Sequence, residues 1–132
     1  MKETQFQSLF TKWMKKNAVE TAVYELKITK TNTLPFSKFE PHQLPALDKA
    51  KFGIQTHKIS DMSLGYKPFD FCVWTHCPAY VAIMFYKPRQ KKICYLLDIH
   101  TVYKLKDTPK KRSISIEDCI KLGIKICLWS SQ

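Results

Sequence analysis

The chain opens on apolar residues spaced three and four positions apart. Lysines occupy other positions around the same helical wheel, so one face is apolar and the rest is polar. This periodicity predicts an amphipathic helix over residues 2 to 17. The apolar positions of the segment are Phe6, Leu9, Phe10, Trp13 and Met14.

A two-residue alternation follows this helix. Residues 21 to 29 (TAVYELKIT) are rich in β-branched and aromatic side chains, and their alternation predicts a strand with Glu25 and Lys27 on one face. Residues 30 to 40 are polar, which predicts a loop. Pro41 suits the first position of a short helix that runs to about residue 51, although a second proline weakens it.

Apolar runs dominate the second half of the chain. Two of them bracket a short turn and predict a hairpin-like pair, of which the later run is continuous enough to be a central strand buried on both faces. Ser115 is suited to the N-cap of a last helix, which Gly123 closes. The predicted strands cover residues 53 to 59, 69 to 74, 79 to 86, 93 to 99 and 124 to 129. Residues 60 to 68 are predicted to be irregular, and the highly charged residues 104 to 112 to form an exposed loop.

Alternating helices and strands predict an α/β fold. We expect a mixed central β-sheet of five or six strands flanked by helices. The chain of 132 residues with 45% hydrophobic content suits one domain over residues 1 to 132.

Targeting signals are also informative. The N-terminal segment is amphipathic, unlike the apolar run of a secretory signal, and no window approaches the roughly 20 apolar residues of a membrane span. Five cysteines, an odd number, fall mostly in apolar stretches and are interpreted as reduced core residues. We therefore expect a cytoplasmic protein with no membrane partner, and the small chain also fits a phage or mobile-element origin.

Charge narrows the class of partner. The 22 Lys and Arg residues against 11 Asp and Glu give a net charge of +11, and the only arginines are Arg89 and Arg112. Lysine acts on phosphates as a point charge, so this excess favours a partner recognised through its phosphate backbone.

Glu25 and Lys27 are the first candidates for chemistry. A carboxylate and an ammonium two residues apart on a strand project side by side, as is needed to hold a divalent metal and orient a water beside it. The alternative interpretation is a solvent-facing cross-strand ion pair.

Asp70 is the second candidate. It follows Lys67 and Pro68 at the start of an apolar run, where an aspartate is either a turn former or a metal ligand. Two carboxylates that converge on one Mg²⁺ beside a lysine would form a phosphodiester-hydrolysing site, and the surplus lysines would bind a polyanionic substrate.

A zinc site has less support. The donor atoms of His57, Cys72, His76 and Cys77 are compatible with zinc, but a Cys-x4-Cys spacing in an apolar frame is not a recognised ligand pattern. Core cysteines are the commoner interpretation.

Several of these segments, taken in order, resemble a known family. The strand VYELKIT, the loop LPFSK and the helix start HQLPAL look like the strand, loop and helix of RecU-type Holliday junction resolvases in the PD-(D/E)XK nuclease superfamily. The apolar strands that begin at residues 79 and 93 resemble the strands that follow. The similarity covers roughly residues 20 to 102 and implies a restriction-endonuclease-like core.

The resemblance implies a metal-dependent active site. Glu25 and Asp70 would bind Mg²⁺ or Mn²⁺, the Leu26 carbonyl would complete the shell, and Lys27 would position the attacking water. Gln43 or His42 would assist from the helix, and Glu3 is a possible outer-shell acid, although a surface position at a helix start is the commoner role for such a residue.

One departure from the family pattern concerns the order of the site. The metal-binding aspartate normally precedes the ExK strand, whereas here the Pro-Asp hairpin is displaced to Pro68 and Asp70. A competing alignment pairs Asp70 with residues 83 to 87 in the normal order, but Phe85 then replaces the acid. The permuted order is preferred because it keeps two acids and a lysine.

The leading hypothesis is a magnesium-dependent endonuclease of branched DNA that acts in recombination and repair, most like a Holliday junction resolvase. By the same resemblance we expect a homodimer, since two sites would cut two strands symmetrically. The alternative is a nuclease fold that has lost catalysis and only binds DNA or a protein. A basic RNA- or ribosome-associated protein would explain the charge but gives Glu25 no role. The cations expected to contact DNA backbone are Lys30, Lys38, Lys67, Lys87, Arg89, Lys91, Lys92, Lys110, Lys111 and Arg112.

Overall fold

The computed structural model describes residues 1 to 17, 21 to 58 and 71 to 129. Within them the helices are α1 (Glu3–Asn17), α2 (Gln43–Phe52), α3 (Ile99–Lys106) and α4 (Ile116–Leu122), with a short 3₁₀ helix at Phe36–Lys38. The strands are β1 (Val23–Thr29), β2 (Thr33–Pro35), β3 (Ile54–Lys58), β4 (Phe71–Thr75), β5 (Ala79–Phe85), β6 (Lys92–Asp98), β7 (Ser113–Ser115) and β8 (Ile124–Trp129). None of the described helices has the length and apolar character needed to cross a membrane.

A mixed four-stranded sheet forms the centre of the molecule. Its order is β1-β5-β6-β8, with β1 parallel to β5 and the other two pairs antiparallel. Helices flank this sheet, which confirms the predicted α/β class with a mixed central sheet. The prediction of five or six strands in this sheet is wrong for the described residues. Four strands form the sheet, and the pairs β2-β7 and β3-β4 form separate two-stranded ribbons.

Two apolar clusters cover the two faces of the sheet. On one face, Phe6 and Phe10 of α1 pack against Met84 and Ile126. The other face is covered by α2, α3 and α4, and its cluster includes Leu47, Val102 and Cys119 together with alternate residues of β5. Each large apolar side chain that is fully buried contributes about 1.5–3 kcal/mol. The run that forms β5 is buried on both faces, as predicted from its unbroken apolar sequence.

Local caps fix the ends of the later helices. The Ser115 side chain accepts a hydrogen bond from the Asp118 N–H, and the Asp118 side chain accepts one from the Ser115 N–H, so the predicted N-cap is confirmed as a full capping box. Gly123 ends α4 as predicted. A Cβ at Gly123 would lie 2.8 Å from the Cys119 carbonyl oxygen and 3.0 Å from that of Leu96, so the close approach of α4 to β6 requires glycine.

The predicted hairpin is wrong. β4 pairs with β3, from Ile54 opposite Thr75 to Lys58 opposite Phe71, whereas β5 lies between β1 and β6. The turn between the two apolar runs therefore separates a peripheral ribbon from the central sheet. Sequence proximity favoured a direct pairing, but the strand that is buried on both faces takes the distant β1 on one side and β6, the next strand along the chain, on the other.

Two predicted loops contain regular structure. Within residues 30 to 40, Pro35 lies in β2 opposite Ser113, and the 3₁₀ helix follows directly. Within residues 104 to 112, the first three residues belong to α3, whose apolar face is Ile99, Val102 and Leu105. A short edge strand tolerates proline, and the dense lysines concealed the apolar spacing of α3.

Candidate active site

Glu25 and Lys27 form an ion pair on β1. The Nζ atom of Lys27 lies 3.6 Å from Oε1 of Glu25, and the exposed fractions of the two side chains are only 12% for Lys27 and 24% for Glu25. Both side chains are therefore largely covered, and the pair is less open to solvent than the alternative of a solvent-facing pair implies. A covered acid and lysine on one strand face are unusual in a surface strand and more usual at a functional site.

The alternation of β1 explains why these side chains meet. Tyr24, Leu26 and Ile28 pack with α1 on one face of the sheet, and Val23 packs with the cluster under α2 on the other. Glu25 and Lys27 share the face of Val23 because side chains alternate along a strand. β1 is an edge of the described sheet, and so the Glu25 side chain keeps access to solvent.

A cavity of about 340 Å³ opens between α1 and β1. Its walls include Glu3, Gln7 and Thr11 from the helix, and Glu25 and Leu26 from the strand. The structure thus brings together Glu3, Glu25 and Leu26, three of the residues that were predicted for the site. Glu3 belongs to the first turn of α1, where an acid is stabilised by the helix dipole, so its position also has a structural reason.

The electrostatics of Glu25 reflect this enclosure. Burial raises the pKa of the Glu25 carboxyl above its ordinary value, the ion pair with Lys27 opposes the rise, and the negative charge of Glu3 adds to it. His42, at the N-cap position of α2, also opposes the rise. Burial is the largest of these influences, so the net shift of the Glu25 pKa is upward.

The two helix-start residues differ in their surroundings. His42 is exposed and lies close enough to Glu25 to affect its pKa. The side chain of Gln43 accepts a hydrogen bond from the Glu40 N–H at 2.9 Å, which fixes the loop before α2. Gln43 therefore has a structural partner, whereas His42 is the helix-start residue that influences the pKa of Glu25.

Asp70 and Lys67, both predicted for the site, lie outside the described residues. In the part of the chain that is described, no group of three or more His, Cys, Asp or Glu side chains could hold a metal ion. Among the described residues that line the cavity, Glu3, Glu25 and Leu26 carry carboxylate or carbonyl oxygens that could serve as donors. Oxygen donors of this kind fit Mg²⁺, which binds proteins through one or two carboxylates and fills its shell with water and substrate phosphate.

The predicted DNA-contacting cations fall into two groups. The side chains that are open to solvent are Lys30, Lys38, Arg89, Lys91, Lys110 and Arg112. The other described ones, Lys87, Lys92 and Lys111, are partly covered.

Two of the covered lysines have structural partners. Lys92 lies 4.7 Å from the centre of the Tyr86 ring and donates to the Gln90 carbonyl. Lys111 lies 2.7 Å from Oδ2 of Asp118. Lys92 therefore stabilises the turn before β6 and Lys111 ties the segment before β7 to α4, and the open cations are the better candidates for contacting phosphate.

The prediction that the cysteines are reduced core residues is confirmed for some of them. Cys77, Cys94 and Cys119 are buried, and the Cys77 thiol donates to the Thr21 carbonyl at 3.6 Å. Burial raises the pKa of Cys94 and of Cys119 to about 12, so neither thiol is ionised at neutral pH. Cys127 is exposed, so a core position is wrong for it. His76 is also exposed, and the side chains of His57 and Cys72 lie outside the described residues.

One polar cluster of the structure was not predicted from the sequence. Lys51 of α2 donates to both carboxylate oxygens of Asp98, at 2.6 and 2.5 Å, and Asp98 also accepts from the His100 N–H as the N-cap of α3. An aspartate that follows an apolar strand and precedes a helical apolar spacing is the signal that could have identified this cap.

The fold and the site define an α/β protein whose edge strand carries a covered acid and lysine beside a cavity. No protein-family model matches the chain, and no match is found among the curated proteins or the solved structures.

Proposed function

We propose that this protein is a metal-dependent DNA endonuclease that hydrolyses phosphodiester bonds, with branched DNA such as a Holliday junction as its substrate. The observation that carries the proposal is the covered Glu25–Lys27 pair, whose acid shares a cavity with Glu3. An acid that lines a cavity and a lysine held beside that acid suit phosphodiester hydrolysis, because the reaction needs a bound cation, an oriented water and stabilisation of phosphate charge.

In this proposal the roles follow from the positions of the groups. Glu25 would hold Mg²⁺ or Mn²⁺, with Asp70 and the Leu26 carbonyl as the further ligands that the family resemblance implies. A bound ion would supply Lewis-acid polarisation of a phosphoryl oxygen and a more acidic water. Lys27 would orient the attacking water and place positive charge next to the phosphate. Glu3, across the cavity, would accept hydrogen bonds from waters around the ion.

Exposed cations support a nucleic-acid substrate. Lys30 follows β1 directly, and Arg89 and Lys91 lie on the turn after β5, which ends beside β1 because Thr29 is in register with Phe85. These cations therefore lie at the same end of the sheet as the carboxyl end of β1. A DNA backbone bound there would pass close to Lys27.

The proposal also includes a homodimer that acts in the cytoplasm. Two copies would cut two strands of a junction symmetrically, and the buried thiols suit a reducing compartment. Sedimentation of the protein with and without junction DNA tests the dimer.

Cleavage of a four-way junction and of a linear duplex of matched sequence tests the activity. We expect Mg²⁺ or Mn²⁺ to support cleavage of the junction and EDTA to abolish it. Glu25→Gln should abolish cleavage, whereas Glu117→Gln, which alters an exposed acid of α4, should not. Cleavage that is independent of metal, or unchanged in Glu25→Gln, would overturn the proposal.

A second candidate is a nuclease-like fold without catalysis that binds DNA. The exposed cations favour it, because they would attract a polyanion whether or not the site holds a metal. It predicts DNA binding that weakens steeply with salt and no Mn²⁺ binding in calorimetry. Mn²⁺ binding that Glu25→Gln abolishes would decide for the nuclease.

A further inference from the structure

A second cavity, of about 530 Å³, lies on the same face of the sheet as Lys27. One wall is formed by Pro35, Phe36 and Ser37, and the other by Lys106, Lys111 and Arg112. No acidic side chain is among these lining residues. A cavity of this size is in the range of ligand sites, which is about 300–1,000 Å³.

The walls come from distant parts of the chain and are tied together. Pro35 of β2 lies opposite Ser113 of β7, and the Phe36 N–H donates to the Arg112 carbonyl at 3.1 Å. Phe36 also packs against the core cluster under α2 and α3. The aromatic ring and the guanidinium-bearing segment are therefore held at a fixed separation before any ligand binds.

The charge of the cavity is positive and only partly compensated. Lys111 is paired with Asp118, whereas neither Lys106 nor Arg112 has an acidic partner within the described ranges, and both are exposed. Two open cations beside an aromatic ring and a proline fit a ligand that has both a phosphate and a flat apolar group. One nucleotide has both, and aromatic side chains bind unpaired bases by stacking.

The cavity adjoins the candidate active site through the 3₁₀ helix. Phe36 begins this helix, and Phe39 follows it and lies 5.4 Å from Nζ of Lys27, measured to the ring centre. Three residues of 3₁₀ helix advance by roughly 6 Å. A strand whose base occupies the cavity would therefore have its neighbouring phosphates near Lys27.

We infer that this cavity, lined by Phe36, Lys106 and Arg112, binds one unpaired nucleotide of a DNA strand beside the Glu25–Lys27 site. Its role rests on the proposed function, since the bound nucleotide would be part of the branched substrate. Unpaired nucleotides are present in single strands and at a branch wherever base pairs beside the exchange point open, and they are absent from the interior of a blunt duplex. The cavity would thus favour branched or single-stranded DNA over continuous duplex.

Binding measured by fluorescence anisotropy in EDTA tests the inference without any cleavage. The probes are a labelled oligothymidylate and a blunt duplex of equal length. Phe36→Leu keeps an apolar side chain but removes the aromatic face, and it should weaken binding of the single strand by roughly 5- to 150-fold. Binding of the blunt duplex should be unchanged, and Phe36→Tyr should restore binding of the strand.

Matched controls separate the cavity from general effects. Phe52→Leu alters an exposed phenylalanine outside the cavity, and it should leave strand binding unchanged. Lys106→Gln should lower the salt dependence of strand binding by about 0.7 in the log–log slope. Lys121→Gln, which alters an exposed lysine in the last turn of α4, should leave the slope unchanged.

Three outcomes would overturn the inference. They are equal effects of the Phe36 and Phe52 substitutions, equal loss of strand and duplex binding in Phe36→Leu, and equal slopes in the two lysine variants. If Phe36→Leu does not fold, photocrosslinking of the unaltered protein to a strand with 5-iododeoxyuridine replaces it. An adduct at residues 35 to 37 or 106 to 112 is expected, and adducts elsewhere alone would reject the cavity.

The design also separates this inference from the proposed function. Glu25→Gln should lose cleavage and keep strand binding, because Glu25 does not line this cavity. A protein that never cleaves DNA but shows the Phe36 pattern would overturn the nuclease and leave the nucleotide site standing. A protein that cleaves junctions but lacks the Phe36 pattern would overturn the nucleotide site and leave the proposed nuclease standing.

Discussion

The ammonium group of Lys27 is held between a carboxylate and an aromatic ring. Nζ lies 3.6 Å from Oε1 of Glu25 and 5.4 Å from the centre of the Phe39 ring. Both contacts are favourable to a cation, and the second needs no hydrogen bond. The two contacts together fix the direction of the lysine side chain.

Replacing this lysine should separate catalysis from folding. Lys27→Met keeps most of the side-chain stem, so we expect a folded protein with DNA cleavage slowed by about 100-fold or more. Single-turnover cleavage of a four-way junction measures the rate, and thermal unfolding checks the fold. Lys121→Met, at an exposed position in the last turn of α4, is the control and should cleave at a rate near that of the unaltered protein. Equal rates for the two variants would contradict a role for Lys27.

The ionised Glu25 carboxylate should lower the free energy of unfolding at neutral pH. Because burial raises its pKa above the ordinary value of 4.5, the folded protein holds the proton more tightly than the unfolded chain does. Stability therefore falls as the pH rises from about 4.5 through the higher folded pKa. Glu25→Gln should unfold at a higher temperature than the unaltered protein at pH 7, and the gain should shrink toward pH 4.

Thermal unfolding at both pH values measures this difference. Glu117→Gln alters an exposed acid and should show no comparable gain. A Glu25→Gln variant that is less stable at pH 7 than the unaltered protein would show that the pair with Lys27 outweighs the burial of the carboxylate.

Asp98 should matter more to stability than its partner Lys51. Its side chain both pairs with Lys51 and caps α3 through the His100 N–H, so Asp98→Ala removes two interactions. We expect a loss of about 1–3 kcal/mol for Asp98→Ala and of under about 1 kcal/mol for Lys51→Met, since the pair is partly exposed to solvent. Urea unfolding of both single variants and of the double variant measures the coupling. A larger loss in Lys51→Met would contradict the capping role.

The capping box of α4 predicts an acid-dependent loss of stability. Burial alone would raise the pKa of Asp118, but hydrogen bonds from Lys111 and Ser115 outweigh burial and hold it below the ordinary 3.8. The stabilisation by this carboxylate is therefore full above about pH 3.8 and is lost as the pH falls through the lower folded value.

Asp118→Asn should consequently be less stable than the unaltered protein at neutral pH, and the two should converge in acid. Ser115→Ala should cost about 1 kcal/mol, because it removes the acceptor for the Asp118 N–H. Urea unfolding across the acid range measures both effects. A constant difference between Asp118→Asn and the unaltered protein at every pH would contradict a role for the carboxylate charge.

Local signals in the sequence were sufficient for several elements. The apolar periodicity of α1, the unbroken apolar run of β5 and the cap at Ser115 each depend on residues close in sequence. Strand pairing does not, since β5 takes β1 as a parallel neighbour across a long crossover. For the same reason the predicted pairing of residues 69 to 74 with β5 is wrong.

The two sites differ in how far the sequence predicts them. Alternation in β1 placed Glu25 and Lys27 on one face, and the family resemblance singled out Glu3. The cavity beside Phe36 could not be foreseen, because it needs β2 to pair with β7 and so bring Phe36 to Arg112. Residue spacing within either segment carries no trace of that contact.

The parallel pairing of β1 with β5 also bears on how the chain folds. Val23 lies opposite Ala79, so this contact closes a loop of more than fifty residues, whereas β5 and β6 are joined by a short turn. Closing a long loop costs more chain entropy than closing a short one, and this cost comes before any contact in the loop stabilises the structure. The strand that carries Glu25 and Lys27 should therefore join the sheet after the β5–β6 hairpin has formed, and the acid and lysine acquire their neighbours late in folding.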